Sequence, residues 1–506
     1  MKYITEAQYD QLCKSCDNVI NNKPNSFERN ANSFLHVIRE HPIFLKTYEP
    51  IYYRNAFKFY FFIFIQVFKS FIIGFYKFFE AIYRIYFLRD IVKKNKIDYQ
   101  NIFISHFLNE KFLEHKNDFY FYDLPNKIFD SQKSSLKLYI NFTSLSSNKA
   151  KKKWIYNKVP SILLPKYLPV FLELKLRFLM FKEALSILKI KSFSTLDMRV
   201  KVYASVASLF SSTHNNYRLA FMVQSFVKKN DTSRIFTTYE GHPWERLIFG
   251  MARKNNSQIN CIGYQHAIIF RKQHSIRRKL SNTFEPNYIM CSGEHSFKKL
   301  KEINYLPTKR LFIFGSNRGN YKKIVKLAVE SKKRDTFLML PEGDLVECIP
   351  MAKFTIDLAL KYPKFKFIIR FHPVTKIKKV IKQCPKIFQG IPNIEISNLS
   401  FDKDLLRSHC AVYRGSTTII KAIEFGLIPL YYKISDEISI DPLFEIKYPK
   451  ISVSIPEDIQ ILNKISDKQH IFNQLKFIEY VKCFFSPIDY DTILKLNDIQ
   501  LDSNKS

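Results

Sequence analysis

The sequence predicts an α/β protein: two doubly wound parallel-sheet domains facing a cleft, preceded by a basic, aromatic helical extension. Three observations predict it. From residue 231 onward, short apolar runs alternate with amphipathic segments, and each run stops at a Gly, Pro or polar turn. The runs come in two series divided near residue 305. Residues 51–89 are so rich in rings that they stand apart from both series. The domains expected are an extension over 1–99, a first domain over 100–305, a second over 306–480 and a tail over 481–506.

Composition bounds the reading. The 506 residues carry a net charge of +35 and 46% hydrophobic content, enough for sizeable cores. Such a charge favours anionic partners. No zinc-finger spacing or helix-turn-helix pattern occurs, so nucleic acid is not expected as a partner. Glycines number only 11, and neither GxGxxG nor GxxxxGK[ST] is present, which excludes the usual dinucleotide and P-loop fingerprints. The eight cysteines are scattered in the manner of a reduced compartment. Cys13 and Cys16 form one CxxC, and no second pair is spaced to complete a zinc site. No apolar signal-peptide core opens the chain, so a cytoplasmic location is expected.

Seventeen of residues 51–89 are Phe or Tyr. Their uncharged runs, Phe59–Phe68 and Ser70–Tyr76, fall short of a bilayer span. On a helix, Arg54, Lys58, Gln66, Lys69, Lys77, Glu80 and Arg84 share one arc of about 140°, and rings cover the rest. That pattern suits a helix lying in an anionic membrane interface. The competing reading is a helix, or two broken near Gly74, packed on the protein's own core.

Between 100 and 230 strands are expected near Ile102–Ser105 and Leu136–Ile140, and helices near Val170–Leu188 and Thr195–Phe210; no chemistry is evident there. Beyond 231 the strands and their terminal residues follow in order. Ile235–Tyr239 ends at Glu240-Gly241, with Pro243 opening a helix. Ile259–Tyr264 ends at Gln265-His266, and Asn287–Cys291 at Ser292-Gly293. Arg310–Phe314 opens the second series. Thr336–Leu340 ends at Pro341-Glu342, Lys366–Phe371 at His372-Pro373, and Ala411–Tyr413 at Arg414-Gly415-Ser416. Strands alternating with helices imply right-handed crossovers and parallel sheets. Ligands of such sheets bind beyond the carboxyl ends of the strands.

Gly415, Ser416, Thr417 and Thr418 precede a helix, where free N–H groups can cradle a phosphate; an ordinary N-cap has the same composition. Arg370, His372 and Pro373 end a strand of the same series and could grip that phosphate from another side. Glu240 lies in the other half and could deprotonate an acceptor hydroxyl, with His266 as a second base. Glu240 could equally be salt-bridged to Arg246 or Arg253.

Thr238-Tyr239-Glu240-Gly241-His242-Pro243-Trp244-Glu245, Gly263-Tyr264-Gln265-His266, Arg370-Phe371-His372-Pro373 and Arg414-Gly415-Ser416-Thr417-Thr418 resemble, in that order, motifs of bacterial surface-carbohydrate glycosyltransferases of the GT-B fold. The resemblance runs over roughly residues 230 to 435. It points to sialyl- and Kdo-transferase-like enzymes that use CMP-activated sugars, and it touches the CDP-glycerol transferases. The first motif departs from theirs in having Tyr-Glu-Gly in place of two acids and Gly, and Gln-His is followed by Ala267 rather than Gly. The resemblance implies Glu240 as general base, and His372, Ser416 and Thr417 on the nucleotide's phosphate; Arg370, Pro373, Gly415, Thr418 and Glu342, at or beside the same strand ends, are further candidates for holding the nucleotide. It implies inverting transfer from a nucleotide-sugar donor, probed first as a CMP-linked ulosonic acid, onto a surface glycan or glycolipid acceptor such as a capsule or lipopolysaccharide precursor. It implies no cofactor and no metal, since a monophosphate leaving group needs none; Asp402-x-Asp404 and Asp489-x-Asp491 match a metal-binding DxD only in spacing. The enzyme would be peripheral on the inner face of the bacterial plasma membrane. The alternatives are a CDP-glycerol-type glycerophosphotransferase and a non-enzymatic membrane- or polyanion-binding protein.

Overall fold

A computed structural model describes residues 3–91, 99–131, 134–155, 158–227, 232–303, 305–319, 335–388, 390–446, 450–464 and 467–491. The strands are β1 (Asn101–Phe107), β2 (Ser135–Asn141), β3 (Ser161–Leu163), β4 (Arg234–Thr238), β5 (Asn260–Gln265), β6 (Tyr288–Cys291), β7 (Leu311–Ile313), β8 (Thr336–Leu340), β9 (Lys366–Ile369), β10 (Ile394–Ile396), β11 (Cys410–Tyr413), β12 (Ile428–Tyr432) and β13 (Ile451–Val453). The helices needed below are α1 (Glu6–Asn21), α2 (Ala56–Tyr86), α3 (Val170–Leu188), α4 (Thr195–Ala207), α5 (Ser211–Gln224), α6 (Pro243–Asn255), α7 (Glu294–Lys301), α8 (Leu345–Lys361), α9 (Thr418–Glu424) and α10 (Asp467–Lys482).

Two sheets form, both wholly parallel. The first runs β3-β2-β1-β4-β5-β6-β7 and the second β10-β9-β8-β11-β12-β13. Parallel sheets need cover on both faces, and the central strands accordingly have apolar middles: Ile102 to Ile104 and Phe337 to Met339 are fully buried. The expected α/β architecture, two doubly wound parallel-sheet domains behind a helical extension, is present. Strand order reverses between β1 and β4 in one domain and between β8 and β11 in the other. These are the two points where the crevice above such a sheet can hold a ligand.

Two boundaries differ from expectation. The strand expected to open the second series is β7, the outermost strand of the first sheet, where Ile289 pairs with Leu311. Apolar periodicity marks a strand but not the sheet it joins, so the divide falls after Ile313 rather than near 305. Residues 100–230, in turn, supply β1 to β3 and belong to the first domain. The tail also returns: after α10, the chain crosses back so that the Ser486 N–H donates to Ser292 O and the Asp489 N–H donates to Phe314 O. This strap lies on Gly293 and Gly315, where a Cβ would strike the Cys483 and Pro487 carbonyls. The expected tail beyond residue 491 lies outside the described residues.

Helix α2 is continuous; Gly74 does not break it but lets α3 approach, since a Cβ there would meet the Arg177 guanidinium at 2.5 Å. A narrow strip of α2 (Phe59, Ile63, Ser70, Gly74, Ala81) is buried against the protein. The ring-bearing side is bare: Phe57 is 79% exposed, Phe64 67% and Phe75 68%. By length and composition alone α2 could span a bilayer, contrary to the expectation from its short uncharged runs. Lys69 alone separates those runs.

Candidate active site

The site is built where both strand orders reverse. In the first domain β4 stops at Thr238, and Gly241 turns the chain with φ +81°. Only Gly serves there, because the Ser275 carbonyl abuts its Cα. Pro243 then starts α6. The Glu245 carboxylate accepts from the Glu240 and His242 N–H groups, at 2.9 and 2.8 Å. Beneath the turn the fully buried Arg246 pairs with Glu285 and donates to Ser275 O at 2.7 Å. Arg253 donates to Thr283 O and Asn287 Oδ1. Neither arginine is therefore Glu240's partner, and the salt-bridged alternative fails.

The Glu240 carboxylate faces two imidazoles instead. Its Oε1 lies 3.5 Å from His266 Nε2 and its Oε2 lies 3.8 Å from His242 Nε2. Burial pushes its pKa up, but hydrogen bonding from His242 and the charges of His266, His242 and Arg39 outweigh burial and hold it at about 2. His266 shifts the other way. Burial, with Arg318 nearby, lowers its pKa despite the Glu240 charge, so it is neutral at pH 7. Tyr120 packs edge-on against the His266 ring at 4.7 Å, and Nδ1 is buried with no hydrogen-bond partner among the described residues. Glu245, buried beside Glu240, is raised to about 7. A carboxylate, a neutral imidazole and a carboxyl group about half protonated at pH 7 thus sit together, the separation of proton affinities typical of acid–base sites.

In the second domain Glu342 follows β8. Its Oε2 is 3.1 Å from His41 Nε2, and its Oε1 is buried without a hydrogen-bond partner. Burial raises its pKa, but His41, Arg39 and Arg414 bring it below the usual range. Gly415 packs directly on Oε1; any side chain there would collide with it. His372 is exposed at the end of β9. Burial lowers its pKa, and its Nδ1 accepts the Val374 N–H at 3.3 Å. That leaves the proton on Nε2, ready to donate. Pro373 fixes the exposed turn that follows. The Ser416 and Thr418 hydroxyls share a hydrogen bond of 2.7 Å, and Thr417 caps α9 without a side-chain bond of its own, so its hydroxyl is not spent on the cap.

Arg370 is placed differently. It donates to Leu399 O and to the buried Asp404, at 2.7 and 2.8 Å, so its charge anchors the loop rather than facing the site. The same contacts consume one member of the DxD: Asp404 is held by Arg370, Arg407 and Ser397, while Asp402 pairs with Lys421. Cys13 and Cys16 are core residues of α1, and burial pushes the Cys13 thiol to about 12. Among the described residues no cluster of His, Cys, Asp and Glu could hold a metal.

Arg39 joins the halves. It stacks over Phe270 at 3.8 Å, and its charge reaches both Glu240 and Glu342. Arg39 and His41 come from the extension ahead of residues 51–89, a stretch to which sequence reasoning gave no role in the site. His242, His106 and Arg318 were also missed. The one signal for the first pair was the charged Arg39-Glu40-His41 cluster ahead of Pro42, within apolar surroundings.

No protein-family model matches the chain, and no curated protein matches it. Solved structures align over most of it at low identity. A glycosyltransferase from Rickettsia africae ESF-5 covers 79% of this chain and 97% of its own, at 9% identity and TM-score 0.44. MurG of Acinetobacter baumannii covers 78% and 99%, at 9% and 0.42. The wall teichoic acid polymerase TagF covers 85% and 99%, at 12% and 0.38. At such scores none of them lends this chain a family or a chemistry.

Proposed function

We propose that this protein is a GT-B-type glycosyltransferase that moves a sugar from a nucleotide donor, CMP-linked in the first instance, onto a surface glycan or its lipid-linked precursor. One observation carries the reading: Arg39 lies within electrostatic reach of Glu240 from the first sheet and of Glu342, on which Gly415 packs, from the second. A nucleotide held between the halves would meet a base on one side and phosphate donors on the other.

In this mechanism the acceptor hydroxyl attacks the anomeric carbon and gives its proton to the Glu240–His266 pair. A carboxylate held at about 2 is a weak base at pH 7, whereas neutral His266 is well matched. His266 therefore takes the proton, and Glu240 orients the ring and stabilises the imidazolium. The carbon–oxygen bond to phosphate breaks, and the nucleotide leaves as its monophosphate. His372 Nε2–H and the Ser416, Thr417 and Thr418 hydroxyls hold the phosphate oxygens as their charge grows. The resting place we assign is the inner membrane face, with the bare rings of α2 in the acyl boundary and Lys58 and Lys69 at anionic headgroups. Membrane spanning fits less well, because the buried strip of α2 runs from Phe59 to Ile85 and would have to unpack.

The test is a donor screen. Thermal shift and hydrolysis are measured with CMP-sugars, UDP-sugars and CDP-glycerol against wild type, Glu240→Gln and His372→Ala. Binding of a cytidine nucleotide with turnover lost in both variants is expected. Turnover of CDP-glycerol alone would move the protein to glycerophosphate transfer, and no nucleotide response would end the enzyme reading.

A further inference from the structure

The carboxyl edge of the first sheet holds a cavity of about 610 Å³ that no sequence feature announced. It runs along the ends of β1, β2 and β3, bounded by His106, Phe142, Lys166 and Trp244, with Lys77 of α2 on its wall. The sheet order places these ends next to β4 and therefore next to Glu240. Neighbouring strands lie about 4.8 Å apart, so β3 is about three strand spacings from β4, the reach of a sugar unit or two. His106 marks the inner end: burial, with His266 and His242 nearby, brings its pKa to about 4 against the opposing charge of Glu240. Trp244 packs edge-on to it at 5.4 Å and Phe142 lies at 5.5 Å, the latter 61% exposed. Exposed rings of this kind suit the apolar face of a sugar.

A second cavity of about 420 Å³ adjoins the first and shares Pro165, Tyr167 and Met222 with it. Its remaining wall is mostly apolar, including Ile85 of α2, Leu172 of α3, Phe221 and Phe226. It lies between the C-terminal end of α2 and the start of α3. Helix α3 extends the bare surface of α2 with Phe171, Phe178 and Phe181, which are 76%, 58% and 44% exposed. Charge is concentrated where the two cavities meet. Glu80 is shared by Lys77, Arg84 and the Tyr167 hydroxyl, Asp90 is taken by Arg84, and Glu173 by Arg218. Lys166 has no ion-pair or hydrogen-bond partner among the described residues. Burial and the nearby Arg84 and Lys77 lower its pKa, as expected of a cation awaiting an anion.

We propose that the joined cavities are the acceptor site, and that the acceptor is a lipid phosphate: its apolar chain in the chamber between α2 and α3, its phosphate at Lys166 and Lys77, and its sugar or polar head on Phe142 and Trp244, directed toward Glu240. This rests on the transferase reading above and specifies its acceptor. Separate features of the site recognise chain, anion and sugar, and the chain end of the path opens beside the bare helical surface.

The test uses the full-length protein with Trp154→Phe, so that fluorescence reports Trp244 alone. Farnesyl monophosphate, below its micelle concentration, should give a saturable change. Farnesol and inorganic phosphate should each bind at least ten-fold more weakly. Lys166→Glu should weaken farnesyl phosphate at least ten-fold, and so should filling the chamber with Met222→Phe and Leu172→Phe, with melting temperature and the thermal shift by CMP unchanged. Equal binding of farnesol, or equal binding by either variant, would mean partition onto the exposed rings and would overturn the proposal. A response to farnesyl phosphate with none to any nucleotide would leave the lipid site standing and remove the transferase reading instead.

Discussion

Replacing Glu240 with Gln should lower the pKa of His266, and the geometry sets the size of the effect. At 3.5 Å a carboxylate and an imidazolium attract by about 5 kcal/mol at an effective dielectric constant of about 20. Both side chains keep some exposure, 26% and 19%, so water screens part of that attraction. A residual coupling of about 1.4 to 3 kcal/mol corresponds to about one to two pH units. The sign follows from which state the carboxylate favours. It stabilises the protonated ring, burial disfavours it, and removing the carboxylate leaves burial unopposed. His266, already below its ordinary value, should therefore fall further. The assay is a ¹³C titration of the histidine Cε1 resonances, with His266 assigned by its loss in His266→Asn. In the donor assay the acid limb of kcat/KM should move to lower pH by the same amount, while the maximal rate drops by about 10²- to 10⁴-fold as base catalysis is impaired. A His266 resonance that titrates unchanged in Glu240→Gln, or that titrates at higher pH, would show the pair to be uncoupled and would remove its role.

Further outcomes follow from the same structure. Gly415→Ala should abolish nucleotide binding in a thermal-shift assay while leaving the melting temperature of the free protein within a few degrees, because the new methyl collides with Glu342 at the site. Gly241→Ala should instead cost about 2 kcal/mol or more in urea unfolding, since φ +81° and the Ser275 carbonyl both oppose a side chain. Glu445→Gln should lower stability by about 1 to 2 kcal/mol at pH 7, because this carboxylate joins the domains through His295 Nδ1, at 3.2 Å, and Lys299. Those partners hold its pKa at about 2, so its contribution is full above its unfolded value near 4.3 and disappears as pH falls toward 2; the variant's deficit should shrink over the same window. Phe64→Ser with Phe68→Ser and Phe75→Ser should reduce flotation with anionic vesicles at least ten-fold without changing the melting temperature, since all three rings are exposed.

Much of this was legible in the chain because strand ends are written in local chemistry. The apolar runs before Glu240, His266, Glu342, His372 and Gly415 stop abruptly at turn residues, and each proved to be a strand to within two residues at either end. Among the long helices Val170–Leu188 was recovered in full and Thr195–Phe210 up to Ala207, whereas α1, α5, α8 and α10 were not foreseen. What the pattern lacked was long-range information. The three residues of β3 are too short to show periodicity. Arg39 and His41 reach the site only because the extension folds back over residues 270–278, where Lys272 N–H donates to Glu40 and Ser275 N–H to Ile38 O. Arg370 looked free to bind an anion because nothing nearby in sequence reveals Asp404 as its partner. The cavity beside β1 to β3 was invisible for the same reason: its walls come from six separate stretches, between Lys77 and Trp244.

The strap over Gly293 and Gly315 has a consequence for biosynthesis. The first sheet is translated early, yet backbone groups at its β6 and β7 end find their acceptors and donors only in residues 483–489. A nascent chain must therefore hold that end unsealed until residues 483–489 have been made. Early termination or proteolysis shortly before Cys483 would strip the seal from a domain whose own sequence is intact, leaving it prone to aggregation and dependent on chaperones.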